Sequence, residues 1–107
     1  MKKTGKSGKH HEEKHVRDDE LEFKVVARRN RLLGHWAAEK LGFTGDAVQA
    51  YAKEVVMSDF EEPGDEDVIR KVMGDFHKNN VATSEAELRR EMSRLLGVAR
   101  DQLESGR

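Results

Sequence analysis

Apolar residues recur at intervals of three and four in four separate stretches of this chain, and in none of them do they alternate singly. That spacing draws one stripe down an α-helix and offers a strand no buried face, so the chain is committed to helices that bury their stripes against one another. Leu21, Val25, Leu32 and Trp36 share the first stripe, widened by Val26, Leu33 and Ala37. This helix is predicted to start near Asp18, where Asp18, Asp19 and Glu20 suit an N-terminus, and to stop at Gly42. It would be about 24 residues and about 36 Å long at 1.5 Å per residue. A second helix follows Thr44, with Asp46 in its first turn and Val48, Tyr51, Ala52, Val55 and Val56 on its stripe, and ends around Ser58. Glu62-Pro63-Gly64-Asp65 contains the sole proline and reads as a break followed by a new cap. A third helix from Asp65 carries Val68, Ile69, Val72, Met73 and Phe76, and Asn79-Asn80 terminates it. The fourth begins at Thr83 or Ser84, with Ser84 and Glu87 at capping-box spacing, and buries Leu88, Met92, Leu95, Leu96, Ala99 and Leu103. Short connections between four amphipathic helices predict an all-α four-helix bundle over residues 18–105.

The 107 residues suffice for one domain. Charge is unevenly spread. Residues 1–17 hold six Lys or Arg against Glu12 and Glu13, a net +4, which leaves −5 for the remainder of a chain whose total is −1. Val16 is the one apolar residue there after Met1, so the segment is read as a basic tail, disordered when alone. An acidic body with a basic tail does not fit a nucleic-acid binder, which needs a basic folded face. With no cysteine, disulfides and thiolate chemistry are excluded. No apolar run follows the basic opening, unlike a secretory signal, and none approaches the roughly 20 residues of a bilayer span. A cytoplasmic protein without direct membrane insertion is expected.

His11-Glu12-Glu13-Lys14-His15 spells the H-E-x-x-H string of zinc proteases, whose two His hold zinc while the Glu acts as base. That chemistry needs a third ligand and a closed cleft, and a charged tail ahead of the folded body offers neither, so no metal or catalytic role is assigned. His35 and His77 are isolated. Asp59, Glu61, Glu62, Asp65, Glu66 and Asp67 form an acidic loop, but Pro63 and the crowding of charges do not fit a calcium loop, and the run reads as helix capping plus solubility. Arg29 interrupts the first stripe between Val25, Leu32, Leu33 and Trp36. A snorkelling Arg paired with an acidic residue of another helix accounts for it, with an anion site as the competing reading. Lys24, Arg28 and Arg31 form a basic ridge beside it. Trp36, Tyr51 and Phe76 belong to the core, whereas Phe23 lies off the stripe centre as an exposed contact residue.

Three stretches carry a resemblance. They are Asp18-Asp19-Glu20-Leu21-Glu22-Phe23-Lys24, then Ala27-Arg28-Arg29-Asn30-Arg31-Leu32-Leu33-Gly34 with Trp36-Ala37-Ala38, and Ala50-Tyr51-Ala52-Lys53-Glu54-Val55-Val56. Asp59-Phe60-Glu61-Glu62-Pro63-Gly64-Asp65-Glu66-Asp67-Val68 and Arg70-Lys71-Val72 extend it. Over residues 18 to about 103 the chain resembles the zeta inhibitor family of alpha-proteobacterial F-type ATP synthases. The resemblance implies a non-catalytic regulatory subunit, a monomer when free, located at the cytoplasmic side of the inner membrane through the synthase. Its N-terminal segment would enter the catalytic head and block rotation during ATP hydrolysis. Partner contacts would then come from His11, Glu12, Lys14, His15, Asp18, Glu20 and Phe23. The family is also associated with ADP or ATP on the bundle, for which Arg28, Arg29, Asn30, Arg31, Arg70 and Lys71 are the anion partners; no cofactor is required. In the family two Phe stand four residues apart where this chain has His11 and His15. Loss of such anchors implies weakened inhibition, or docking that depends on pH because imidazole titrates near neutrality. The alternative is a small ADP/ATP-binding regulatory module without strong inhibitory activity.

Overall fold

The computed structural model describes residues 3–59 and 64–106, with side chains from residue 19 onward. Four helices make up the chain: α1 (Lys3–Lys40), α2 (Asp46–Ser58), α3 (Glu66–Lys78) and α4 (Glu85–Glu104), and no strand occurs among the described residues. α1 is flanked by α2 and α4, and α3 closes the arrangement against both of these. The expected all-α four-helix architecture is the one observed.

The ends of the helices follow from local chemistry. α1 stops where Gly42 turns left-handed at φ 83; Gly42 N–H donates to the Glu39 carbonyl and Phe43 N–H to that of Ala38. These two bonds satisfy carbonyls that a helix end would otherwise strand. Asn80 does the same for α3 at φ 58, with Val81 N–H on the Phe76 carbonyl. At α4 the capping box is complete: Ser84 Oγ accepts from Glu87 N–H at 3.1 Å and Ser84 N–H donates to Glu87 Oε1 at 3.2 Å.

The second helix follows Thr44 as expected, with Gly45 as the N-cap of α2 and Asp46 in its first turn. The start of α1 differs from expectation. α1 begins at Lys3 rather than near Asp18. Residues 3–17 contain no proline to interrupt a helix and carry no apolar stripe. Apolar periodicity marks only the part of α1 that packs, which is why the earlier start is invisible in it. The expected loose tail of residues 1–17 has its side chains outside the described residues, as do Glu62 and Pro63 of the expected break.

Leu33, Ala37 and Ala38 of α1 meet Tyr51 and Val55 of α2, Val68, Ile69, Val72 and Phe76 of α3, and Leu88, Met92 and Leu95 of α4. Phe76 is fully buried with Trp36 edge-on at 6.0 Å, and burying such a side chain stabilises the fold by roughly 1.5–3 kcal/mol. Trp36 is half-buried, while Leu96 and Leu103 reach the core only in part. α1 and α2 pack closely at Gly34, where an added Cβ would lie 2.5 Å from Ala52 Cα.

Candidate functional site

Arg29 organises the N-terminal half of the bundle. It is only 3% exposed, so it does not snorkel; its cation is held below the surface. Its Nη2 donates to Asp65 Oδ1 at 2.7 Å and its Nε to Asn30 Oδ1 at 2.8 Å. The acidic partner expected from another helix is therefore the N-cap residue of α3. Asp65 spends its carboxylate on Arg29 and makes no side-chain cap bond. Buried Asn30 also hydrogen-bonds Asp59, the C-cap of α2. Asp67, buried in the first turn of α3, accepts from Arg70 Nη1 at 3.0 Å through Oδ1, and its Oδ2 finds no partner among the described residues. The acidic run is thus more than caps and solubility. Asp65 holds the buried Arg29 and Asp59 holds its neighbour Asn30, so the two ends of the α2–α3 connection are both tied to α1.

Asp59 shows the strain of that crowding. Burial raises its pKa above the ordinary aspartate value, with Asp65 and Asp67 adding to the rise, while Asn30 and Arg29 oppose it. A raised carboxyl contributes stability that is present in full below the unfolded pKa and is lost as pH rises through the folded one. Asp59→Asn is accordingly expected to be more stable than the parent at pH 7, the gap closing on acidification toward pH 4. Denaturant titrations of both proteins across that range check it; a gap independent of pH would exclude the desolvated carboxylate as its cause.

The far end of α4 braces α1. Arg100 Nη1 and Nη2 fork onto Glu22 at 2.5 and 3.1 Å, and Arg28 Nη1 reaches Gln102 Oε1 at 3.0 Å. Ahead of this brace Glu20 and Phe23 are exposed, Phe23 at 65%. His11, Glu12, Lys14, His15 and Asp18 belong to α1 by their backbone, and their side chains lie outside the described residues.

The residues considered for a nucleotide are separated by the fold. Arg29 and Asn30 are buried in the cluster above, and Arg28 turns to α4. Arg70 sits on Asp67, whereas Lys71 lies between Glu54 at 2.8 Å and Asp75 at 3.0 Å over the Tyr51 ring. Tyr51 donates to Asp75 Oδ2 at 2.7 Å, and burial together with that carboxylate holds its hydroxyl protonated. Arg31 opens onto a groove of about 580 Å³ between α1 and α2 lined also by His35, Gln49, Ala52, Lys53 and Val56. Sequence reasoning missed Gln49 and Lys53 there. Their spacing with Val56, matching that of Arg31 and His35, is the signal that would have placed them on facing stripes.

Comparisons with known proteins agree with this architecture. A solution NMR structure of a chain 49% identical covers 81% of this chain and 99% of its own length, with a TM-score of 0.73. No curated protein matches. The sequence profile of the family described as ATPase inhibitor subunit zeta matches residues 1–102, the whole of α1, α2 and α3 and nearly all of α4. Because that match runs unbroken from the basic opening segment through the helices packed around Arg29, the chain belongs to the ATPase inhibitor subunit zeta family.

Proposed function

We propose that the chain is a non-catalytic regulatory subunit that binds the catalytic head of an F-type ATP synthase and restrains ATP hydrolysis with its N-terminal segment. The observation that carries this reading is the family match from residue 1 onward, which takes in the opening segment as well as the bundle. The fold supports a division of labour. α1 runs from Lys3 into the bundle, and its packed part is braced by Arg100 on Glu22 and Arg28 on Gln102, so whatever residues 1–17 bind is transmitted to a fixed scaffold. A polar helix with no buried face is marginal by itself and gains its order from a partner surface. No helix among the described residues is long and apolar enough to cross a membrane, and the proposed place for the subunit is the cytoplasmic face, held there by the synthase.

Added to a soluble F-type catalytic head, the full chain is expected to slow hydrolysis, with His11 and His15 limiting its grip. The His11→Phe/His15→Phe variant supplies two apolar anchors and is expected to halve the rate at a concentration at least about tenfold lower, since buried Phe contacts dominate many interfaces. A hydrolysis rate unaffected by saturating full chain and by this variant would end the reading.

A further inference from the structure

We infer that the groove between α1 and α2 is a second docking site, for an acidic segment of the partner protein that also presents one apolar residue. Arg31 and Lys53 face each other across it, with His35 and Gln49 beside them and no carboxylate in its lining. Neither cation makes an ion pair or side-chain hydrogen bond among the described residues. Arg29, Arg70, Lys71, Arg89, Arg94 and Arg100 all do. The sequence withholds partners from both. Arg31 has Ala27, Arg28, Gly34 and His35 at three and four residues, and Lys53 has Gln49, Ala50, Val56 and Met57, so no acidic side chain shares their helix face. In a body whose net charge is negative, two uncompensated cations in one groove mark a surface complementary to carboxylates.

Val56 joins the groove to a small apolar depression lined by Phe23, Val26 and Ala27, with Asn30 and Asp59 at its edge. Phe23 stands exposed over it, and Met57 is exposed on the adjoining helix. Eight residues of α1 separate Phe23 from Arg31, about 12 Å along the axis. A segment with carboxylates at one end and an apolar side chain about two helical turns away matches both features. A nucleotide satisfies the cations and leaves Phe23 uncovered. The neighbouring cleft over Trp36 differs in sign: it holds Glu39, Glu91 and Arg94, and Arg94 is already bound to Glu91 at 2.6 Å.

The site rests on the regulatory reading only for the choice of probe. Full-length chain and the Arg31→Glu/Lys53→Glu variant, both labelled near the C-terminus, are titrated with a soluble F-type catalytic head at low and high salt, and the hydrolysis rate is followed in parallel. Circular dichroism and thermal melting confirm that the exposed substitutions leave the fold intact, and Arg31→Gln/Lys53→Gln serves as the milder second variant. The expected result is binding about tenfold weaker for the reversal at low salt, less for the Gln variant, with the difference shrinking as salt screens the contact. Phe23→Ser is expected to weaken binding at both salt concentrations. Reversal that leaves binding unchanged while the full chain still inhibits overturns the docking site and leaves the inhibitory reading standing. Binding that the reversal weakens, by a chain that does not slow hydrolysis, supports the site and removes the inhibitory reading. Millimolar ATP that shifts the amide signals of Arg31 and Lys53, with head binding indifferent to the reversal, makes the groove a nucleotide site and overturns the inference.

Discussion

Arg29→Met is expected to destabilise the fold by about 2–3 kcal/mol, a fall in melting temperature of about 10 °C or more. Methionine preserves much of the buried stem and removes the cation. What remains are Asp65 with no partner on α1, Asn30 without its donor, and Asp59 and Asp67 crowded beside them. Breaking a fully buried pair costs more, about 3–5 kcal/mol, but the Asp65 side chain is 48% exposed, so water compensates part of its loss. Arg29→Lys keeps the charge but cannot fork onto Asn30 and Asp65 together, and an intermediate loss is expected. Asp65→Asn separates the pair from the packing: in the Arg29→Met background it should cost much less than in the parent. Chemical denaturation of the four proteins measures this, and additive losses would show that the two side chains act independently.

Gly34→Ala is the second large effect, and its sign opposes helix propensity. In an exposed helix interior, replacing Gly by Ala gains about 0.8–1 kcal/mol. At Gly34 the new Cβ would lie 2.5 Å from Ala52 Cα and 3.0 Å from Ala52 Cβ, so α1 and α2 must separate. Overpacking of this kind costs about 1–3 kcal/mol, and because the nearer atom is backbone no rotamer change relieves it; a net loss of about 1–2 kcal/mol is expected. Ala52→Gly in the same chain removes the 3.0 Å contact and leaves the 2.5 Å one, so rescue should be incomplete. Gly97 of α4 has nothing within 4 Å of a built Cβ, and Gly97→Ala should stabilise by the propensity gain alone. Thermal melting of the two single variants should move in opposite directions; a stabilised Gly34→Ala would contradict the close crossing.

These two positions show how far local sequence reaches. The three-and-four spacing located four helices, and Gly42, Asn80 and the Ser84–Glu87 pair fixed three of their ends, because each signal lies within a few residues of what it controls. The opening turns of α1 were not legible, since a polar stretch without a stripe carries no periodicity to read. Arg29 announced itself as a cation in an apolar stripe, but its partner lies 36 residues away and depends on how α3 enters the bundle. The run Arg28–Arg31 looks like one basic patch in sequence. On a helix each successive residue turns by about 100°, so these four face α4, the buried cluster and the α2 groove in turn. Gly34 and Ala52 let the two helices that line the groove meet, a property of the pair that neither stretch displays alone.

The most direct measurement compares ATP hydrolysis by a soluble F-type catalytic head alone, with the full chain, and with a chain lacking residues 1–17. If the basic segment is the inhibitory element and the helices behind it are its scaffold, the full chain slows hydrolysis and the shortened one, folded and present at equal concentration, leaves the rate near that of the head alone. Equal rates with both chains would contradict that assignment.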